Sequence, residues 1–259
     1  MLVHVVIPAR YASTRLPGKP LADIAGRPMV VRVAERATAS IADDVMVAVD
    51  ELKVAHAVQA AGFEAVSTDE AHSSGSDRSM EVARIKEWAD EDIVVNVQGD
   101  EPLIPVAIID RLIDSMRSAR DLQMATVAEP LETLADFLDP NVVKVVTDDR
   151  ACAMYFSRAS IPYPRDAQKN MTERAWLEFS QDKKIRRHVG IYAFRVSGLR
   201  RFVELGPSSL EQVEMLEQLR WLQAGYELLV VDADERVPGG VDTPADLERV
   251  RALWSEAGG

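Results

Sequence analysis

Positively charged side chains are concentrated between Pro8 and Pro20, directly after the first apolar run of the sequence. Arg10, Arg15 and Lys19 lie close together in this segment, and the hydroxyl of Ser13 lies between them. Arginine binds phosphate oxygens through paired hydrogen bonds, and lysine contributes a compact positive charge. Because the chain as a whole is acidic, such a local cluster favours a polyphosphate-binding loop over an exposed basic loop closed by prolines.

The same segment is not a Walker A phosphate-binding loop. In that motif the Gly18-Lys19 pair would be preceded by a glycine at position 13 and followed by serine or threonine at position 20. The sequence has Ser13 and Pro20 instead, which excludes a P-loop nucleoside triphosphatase.

Two carboxylates could hold a divalent cation. Asp100 follows the apolar run 93–97 within Gln98-Gly99-Asp100-Glu101-Pro102, and Asp242 directly precedes the last predicted helix. Mg²⁺ in proteins is usually bound by one or two carboxylates together with substrate phosphates. Each aspartate also has an ordinary structural interpretation, since Asp beside Gly is common in turns and a carboxylate before a helix is stabilised by the helix dipole. Only the pair together makes a metal site attractive.

Weaker signals come from small and isolated side chains. The stretch from Ser73 to Ser76 could allow the backbone to approach a flat base closely, and His188 adjoins a strand with aromatic residues. The basic run from Lys183 to Arg187 is expected to be a solvated edge. No Ser/His/Asp or Cys/His arrangement with a recognisable spacing is present.

The elements that must position these residues alternate along the first half of the chain. Apolar runs of strand length alternate with helical patterns, and Asp50 is placed to cap the second helix. The predicted strands are 2–7, 45–49, 63–67 and 93–97, and the predicted helices are 28–39, 51–61, 79–88 and 106–120. This order predicts a Rossmann-like α/β fold with a mostly parallel, doubly wound sheet. Its ligands bind beyond the carboxyl ends of the strands, which places the first loop and Asp100 in one crevice.

The middle of the chain has a different pattern. Strands are predicted at 124–127, 142–146, 153–156 and 188–194, without regular helices between them, and a helix at 210–224 precedes a late strand at 226–231. Thr243-Pro244-Ala245-Asp246 is a capping-box pattern that opens the last helix. We expect one domain, 1–259, in which about 1–121 and 226–259 form the nucleotide-binding core. About 122–225 would form a smaller mixed-sheet insertion for acceptor binding and dimerisation.

Composition narrows the classes of function. The chain has 259 residues and a formal net charge of −12 at pH 7. A duplex-binding protein needs a basic excess, so nucleic acid is not expected as a partner. No apolar run reaches the ~20 residues of a membrane helix, so membrane insertion is not expected either. Cys152 is the single cysteine, and the first residues predict a strand rather than a signal peptide, so we expect a cytoplasmic protein.

Taken together, these blocks resemble the 3-deoxy-manno-octulosonate cytidylyltransferase family, the CMP-Kdo synthetases, whose sheet is of the nucleotide-diphospho-sugar transferase type. The matching segments span nearly the whole chain in the family's order and are 8–21, 95–102, 155–159, 188–192, 210–220 and 241–244. One departure is Ser74-Gly75-Ser76, where the family usually has Ser-Gly-Thr, and serine keeps the hydroxyl while losing a methyl group.

The resemblance implies transfer of CMP from CTP to the anomeric hydroxyl of the sugar acid Kdo, with release of pyrophosphate, for lipopolysaccharide biosynthesis. It implies that Asp100 and Asp242 bind Mg²⁺ and act in catalysis with Arg10, Arg15 and Lys19. The implied CTP-binding residues are Ala9, Arg10, Ser13, Arg15, Lys19, Ser74, Gly75 and Gln98. The implied Kdo-binding residues are Arg158, His188, Tyr192 and Glu211. A homodimer is expected by the same analogy.

Three alternatives remain open at this point. A related enzyme could activate another sugar acid, such as 8-amino-Kdo or a sialic-acid-like substrate. A non-catalytic nucleotide-binding module would be expected to lose metal ligands, whereas Asp100 and Asp242 are both present. An interaction or nucleic-acid protein has only the Lys183–Arg187 run in its favour.

Overall fold

Short strands and helices alternate along the first half of the chain, as the hydrophobic pattern predicts. The expectation of no regular helices between the strands of the middle is wrong, since short helices lie at Leu134–Leu138 and Glu173–Ser180. The computed structural model describes residues 1–165, 172–180, 185–233 and 236–256. The strands are β1 (Val3–Ala9), β2 (Asp23–Ile24), β3 (Arg27–Pro28), β4 (Asp44–Val49), β5 (Glu64–Ser67), β6 (Ile93–Asn96), β7 (Met124–Pro130), β8 (Lys144–Thr147), β9 (Ala153–Ser157), β10 (Arg186–Arg195) and β11 (Leu229–Asp232). The helices are α1 (Met29–Thr38), α2 (Leu52–Ala60), α3 (Gly75–Ile85), α4 (Val106–Ser118), α5 (Leu134–Leu138), α6 (Glu173–Ser180), α7 (Val196–Leu205), α8 (Ser209–Glu214), α9 (Leu219–Gln223) and α10 (Pro244–Glu256).

One large sheet organises the described part of the chain. Its main path has the strand order β11-β7-β10-β6-β1-β4-β5, and β6, β1, β4 and β5 are parallel. Strand β10 is antiparallel to both β6 and β7, and β8 and β9 form an antiparallel extension at its beginning. The structure therefore confirms a Rossmann-like α/β fold with a parallel core and a mixed extension.

Helices cover both faces of the sheet, because the central strands are apolar on both sides. In β1, Val5 and Ile7 belong to a core shared with α1, α2 and α4. Val6 points to the opposite face and belongs to a second core that includes side chains of α3, α7 and α9. Within the described residues, no helix combines the length and the apolar character that crossing a bilayer requires.

The expected helix over 210–224 is wrong, because the chain breaks it into α8 and α9. Met215 ends α8 with a left-handed backbone conformation, φ 54°. Val213 and Met215 are exposed, whereas Leu216 and Leu219 are buried in the core. The apolar spacing fits one helix, but the break lets the chain turn inward after an exposed segment. As a result, 215–218 forms a loop.

Capping explains two further differences. Helix α3 begins at Gly75 rather than at position 79, because Ser74 and Asp77 form a capping box with backbone N–H to side-chain oxygen distances of 3.1 Å. Asp50 does not cap α2. Its carboxylate instead accepts hydrogen bonds from the backbone of Tyr11 and from Arg78. The expected capping box that opens α10 is confirmed at Thr243 and Asp246.

Candidate active site

A cavity of about 560 Å³ opens at the carboxyl ends of β1 and β6. The parallel pairing of these two strands brings the first loop and the Gln98–Asp100 turn to the same edge of the sheet. The cavity is lined by residues that include every candidate for nucleotide binding and metal binding: Ala9, Arg10, Ser13, Arg15, Lys19, Ser74, Gly75, Gln98, Asp100 and Asp242. The sequence thus predicted which segments come together here.

Close packing of the backbone shapes this cavity. A Cβ atom at Gly99 would lie 2.6 Å from the carbonyl oxygen of Pro8. No side chain fits at that distance, so glycine allows the turn after β6 to pass directly against the end of β1. The carboxylate of Asp100 is thereby held beside the first loop.

The two expected metal ligands lie on either side of one ammonium group. Lys19 donates hydrogen bonds to Asp100 and to Asp242, the latter at an Nζ–Oδ1 distance of 3.1 Å. Arg15 lies 3.1 Å from the same Oδ1 atom of Asp242. Removal from solvent opposes the charged form of Lys19, but the negative charges and hydrogen bonds of both carboxylates outweigh it and raise the pKa of Lys19.

Glu101 adds a third carboxyl group to this region. Its removal from solvent and the negative charge of Asp100 raise the pKa of Glu101 to about 8. Glu101 is therefore largely protonated at neutral pH, which limits repulsion between neighbouring carboxylates. The position between Asp100 and Asp242 holds the ammonium group of Lys19 in this structure, so it attracts a cation. Its carboxylate oxygens are also the ligands that Mg²⁺ prefers. Among the described residues, no group of three or more His, Cys, Asp or Glu side chains could hold a metal, so water and phosphate oxygens would complete the coordination of a Mg²⁺ ion at Asp100 and Asp242.

A buried ion pair supports the first loop from below. Arg78 is 2% exposed, and it donates to Thr68 at 2.6 Å and to Asp50 at 3.2 Å. The other carboxylate oxygen of Asp50 accepts the backbone N–H of Tyr11 at 2.9 Å. Sequence reasoning missed this role, although Arg78 lines the cavity. The alternating pattern placed Asp50 at the start of a helix, which hid its long-range partners.

A second cavity of about 370 Å³ adjoins the first, and Gln98 lines both. Its walls are the segment before β8, strand β10 and the loop between α8 and α9. The side chains and backbone around it come from Gln98, Asn141, Val142, Val143, Arg187, His188, Gly190, Tyr192, Met215, Leu216, Glu217 and Gln218. Two of the four expected sugar-acid residues, His188 and Tyr192, are in this set.

Hydrogen bonds fix the tautomer of His188. The hydroxyl of Thr126 donates to the carbonyl of Ile191 at 2.8 Å, so it accepts from Nε2 of His188 at 2.9 Å. Nδ1 is then an acceptor, 3.5 Å from the amide nitrogen of Gln218, whose oxygen accepts from the Tyr192 hydroxyl at 3.0 Å. Removal from solvent and the charge of Arg187 lower the pKa of His188 to about 3, so the ring is neutral.

Glu217 and Gln218 line the second cavity, although sequence reasoning gave them no role. Removal from solvent raises the pKa of Glu217 to about 7, against the opposing positive charge of Arg220. Both residues lie in the loop between α8 and α9. Because the apolar spacing predicted an unbroken helix, the sequence carried no local signal that this segment faces a cavity.

The other two expected sugar-acid residues lie outside the lining of this cavity. Arg158 donates hydrogen bonds to the backbone carbonyls of Glu214 at 2.7 Å and Pro140 at 3.0 Å. It thereby connects the end of α8 with the segment before β8, and both lie next to residues that line the second cavity. Glu211 caps α8 through Ser208 and forms an ion pair with Arg220. Both side chains are thus engaged in holding the α8 region, and the structure does not bring Glu211 to either cavity.

The basic run near position 185 is not a free patch. Arg186 forms an ion pair with Asp232 and is 8% exposed, and Arg187 forms one with Glu129 at 2.7 Å. Lys183 and Lys184 lie outside the described residues. The expectation of a solvated edge is therefore wrong for Arg186, and the two arginines offer little free charge to a nucleic acid.

Comparison with known proteins gives consistent matches over the whole chain. A family model described as cytidylyltransferase matches residues 4–231. The chain is 50% identical over 256 residues to a 3-deoxy-manno-octulosonate cytidylyltransferase of Alcanivorax borkumensis, covering 97% of this chain and 98% of that protein. It is 49% identical over 253 residues to the protein of that name in Cellvibrio japonicus, covering 98% of each.

Solved structures agree with these relatives. A structure of CMP:2-keto-3-deoxy-manno-octonic acid synthetase complexed with CTP superposes with a TM-score of 0.89 and is 42% identical, covering 99% of this chain and 100% of that one. A cytidylyltransferase from Leptospira borgpetersenii shares the fold, with a TM-score of 0.63 and 17% identity over 99% of this chain and 87% of that one.

Proposed function

This chain belongs to the 3-deoxy-manno-octulosonate cytidylyltransferase family, and we infer that it transfers CMP from CTP to the anomeric hydroxyl of Kdo. The products are CMP-Kdo, for lipopolysaccharide biosynthesis, and pyrophosphate. The observation that carries this conclusion is the pair of adjoining cavities that share Gln98: one gathers Arg10, Arg15 and Lys19, and the other carries hydrogen-bonding groups that include His188, Tyr192 and Gln218.

CTP is assigned to the larger cavity. Arg10, Arg15 and Lys19 supply positive charge and hydrogen bonds for the triphosphate. Ser74, Gly75 and Gln98 also line this cavity and are assigned to the cytosine base and its ribose. Ala9 and Ser13 complete the surface on the side of the first loop.

Asp100 and Asp242 are assigned to Mg²⁺. Their shared interaction with Lys19 supports this, because it shows that both carboxylates can contact one cation. When bound, the ion would neutralise charge on the phosphates and lower the pKa of a hydroxyl placed against it. The positive charges of Lys19 and Arg15 are then available to phosphate oxygens.

Kdo is assigned to the second cavity. The anomeric hydroxyl releases its proton to solvent and its oxygen forms a bond to the α-phosphorus. The bond from that phosphorus to the bridging oxygen breaks, and pyrophosphate leaves. Arg10, Arg15 and Lys19 stabilise the charge that develops on the phosphate oxygens in this step. One wall of this cavity is a hydrogen-bonded set of side chains, His188, Tyr192 and Gln218, which can orient sugar hydroxyls. Because His188 is neutral, it takes part in this set as a hydrogen-bonding group and not as a cation.

The metal assignment is tested by the Asp100→Ala variant. We expect pyrophosphate release with CTP, Mg²⁺ and Kdo to fall about 100-fold or more, because a preorganised charge at the reacting phosphate is lost. The exposed Asp149→Ala variant is the control and should match the parent. Pyrophosphate release by Asp100→Ala at the parent rate would contradict the assignment.

The acceptor is tested by presenting Kdo, 8-amino-Kdo and a sialic acid separately with CTP and Mg²⁺. We expect Kdo to give the highest kcat/KM for pyrophosphate release. A clear preference for another acid would replace Kdo as the substrate and leave the cytidylyltransferase reaction unchanged.

We also propose a cytoplasmic homodimer. Large exposed apolar side chains in the insertion, among them Leu138 at 55%, Met154 at 65% and Tyr163 at 66%, support an interface between two copies. The single cysteine, Cys152, is free and cannot form a disulfide within the chain, which is consistent with a reducing compartment. Light scattering after size-exclusion chromatography should give twice the chain mass of 28.6 kDa, and a mass equal to one chain would contradict the dimer.

A further inference from the structure

Ser76 lies between the two cavities, on the helix that begins in the first one. Its neighbours Ser74 and Gly75 line the nucleotide cavity, and Ser76 itself is fully buried. The hydroxyl of Ser76 lies 3.2 Å from Oε1 of Glu217, a residue 141 positions away in sequence. This bond joins the start of α3 to the wall of the second cavity.

The hydroxyl of Ser76 is the group that donates a hydrogen bond to the side chain of Glu217 in the described part of the chain. The charged groups that act on its carboxyl are Arg220, Asp77 and Glu211. Arg220 is engaged by Glu211, with an Nε–Oε2 distance of 2.8 Å. Within the described part of the chain, Ser76 is the donor to the Glu217 carboxylate, and Oε2 receives no hydrogen bond. That second oxygen remains available to a sugar hydroxyl.

We propose that Ser76 is a positioning residue that holds Glu217 at the wall of the second cavity, so that its carboxylate can accept a hydrogen bond from the sugar acid. This inference rests on the proposed assignment of Kdo to that cavity. It connects the turn assigned to the base of CTP with acceptor recognition through one hydroxyl group.

The hydrogen bond also affects the charge of Glu217. Removal from solvent raises the pKa of Glu217 to about 7, and the bond from Ser76 acts in the opposite direction. Without the hydroxyl, the pKa of Glu217 rises further, and the neutral form becomes more abundant at neutral pH. A protonated carboxyl is a poorer acceptor, so recognition of the sugar acid should then require a higher pH.

The chain offers a matched control on the same helix. Ser79 lies one turn after Ser76 and is also fully buried, but its hydroxyl has no hydrogen-bond partner among the described residues. Ser76→Ala and Ser79→Ala therefore remove the same atom from the same helix, and only the first removes a contact with Glu217. Ser76→Thr keeps the hydroxyl and serves as the conservative variant.

Steady-state kinetics of the full chain test the inference. With CTP, Mg²⁺ and Kdo, we expect Ser76→Ala to raise the KM for Kdo about tenfold, the effect of losing one hydrogen bond to a charged group. The KM for CTP should change less than about twofold, and the acidic limb of the kcat/KM profile for Kdo should move to higher pH. Ser79→Ala should match the parent, and Ser76→Thr should restore most of the affinity for Kdo.

Two kinetic results would overturn the inference. One is a KM for Kdo in Ser76→Ala equal to that in Ser79→Ala, with the same pH profile. The other is an equal rise in the KM for CTP and for Kdo, which would place the effect of Ser76 at the nucleotide.

Infrared titration of the Glu217 carboxyl decides the same question without any substrate. The Glu217→Gln variant identifies the band, and the midpoint should be higher in Ser76→Ala than in Ser79→Ala. Equal midpoints would overturn the role of Ser76. If the parent fails to release pyrophosphate with Kdo, the proposed function falls, while this titration still decides whether Ser76 controls Glu217.

Discussion

Asp50 shows how a single carboxylate supports the nucleotide cavity without lining it. One of its oxygens accepts the backbone N–H of Tyr11, which belongs to the first loop, and the other accepts from Arg78 on α3. The side chain of Asp50 is 7% exposed, and that of Arg78 is 2% exposed. Because both charges are removed from solvent, each needs the other, and the loop and the helix are held in one arrangement.

The Asp50→Ala variant should therefore be strongly destabilised. We expect a loss of about 3 kcal/mol in the free energy of unfolding, since an unpaired charge is left buried at Arg78. The KM for CTP should also rise, because the first loop loses its anchor at Tyr11. Urea unfolding followed by circular dichroism measures the first effect.

An exposed pair of the same types is the control. Asp114 lies 3.7 Å from Arg117 and is 68% exposed. Asp114→Ala should cost less than about 1 kcal/mol, as is usual for surface ion pairs. Equal losses for the two variants would show that Asp50 has no special role.

At the level of elements, the sequence predicted best where one local pattern determines the structure. The buried strands β1, β4 and β6 carry continuous apolar runs, and the end of each is positioned by its parallel neighbours. The capping box at Thr243 and Asp246 acts within four residues and is confirmed. The residues assigned to the nucleotide and the metal therefore came together as expected.

The acceptor side could be predicted only in part, because contacts distant in sequence determine it. His188 and Tyr192 lie on strand β10, and the sequence pattern predicted that strand. Glu217 and Gln218 lie where a helical pattern is interrupted by packing of Leu216 and Leu219 into the core. Nothing in the local pattern indicates this break.

Substitutions at Met215, where the helical pattern is broken, should reveal the free-energy cost of its left-handed backbone conformation. Met215 has φ 54° and is 75% exposed, so a left-handed backbone rather than lost packing dominates its energetics. Met215→Gly should leave the free energy of unfolding unchanged or raise it by about 0.5–1 kcal/mol. Met215→Val should lower it by about 1 kcal/mol or more, because a β-branched side chain is unfavourable at positive φ.

Thermal and urea unfolding of the two variants measure this order. Exposed Val213, two residues earlier and within α8, provides the control position. There Gly should be less stable than the parent valine, since glycine weakens a helix interior. Greater stability of Met215→Val than of Met215→Gly would contradict the assigned backbone cost.

At the scale of the whole molecule, a net charge of −12 coexists with a site that gathers cations. Arg10, Arg15 and Lys19 line one cavity beside Asp100 and Asp242, and the other acidic residues of the described chain lie outside that lining. The total charge argues against a nucleic-acid polymer, which needs an extended basic surface. It does not oppose binding of a small anion, because the local charges near the ligand determine its affinity.

Two buried carboxyl groups with raised pKa values predict how the stability of the protein depends on pH. Glu101 and Glu217 have pKa values raised to about 8 and about 7 in the folded state, above the ordinary value of 4.5. The folded state thus binds more protons than the unfolded state between about pH 4.5 and 8. Their contribution to stability is complete below the unfolded pKa and is lost as the pH rises through the folded pKa.

His188 acts with the opposite sign over a lower range. Its folded pKa of about 3 lies below the ordinary value of 6.5, so its contribution is present above pH 6.5 and is lost as the pH falls towards 3. Of these three groups, only Glu101 and Glu217 therefore change the free energy of unfolding as the pH rises above 6.5.

Urea unfolding between pH 6.5 and 8.5 should therefore show a free energy of unfolding that falls with pH. Glu217→Gln keeps the shape of the side chain but cannot ionise, so its slope in this range should be shallower than that of the parent. Glu227→Gln is the control, since the side chain of Glu227 is 47% exposed and lies away from both cavities. A Glu217→Gln slope as steep as that of the parent would mean that the folded protein carries Glu217 ionised, with its charge compensated by Arg220.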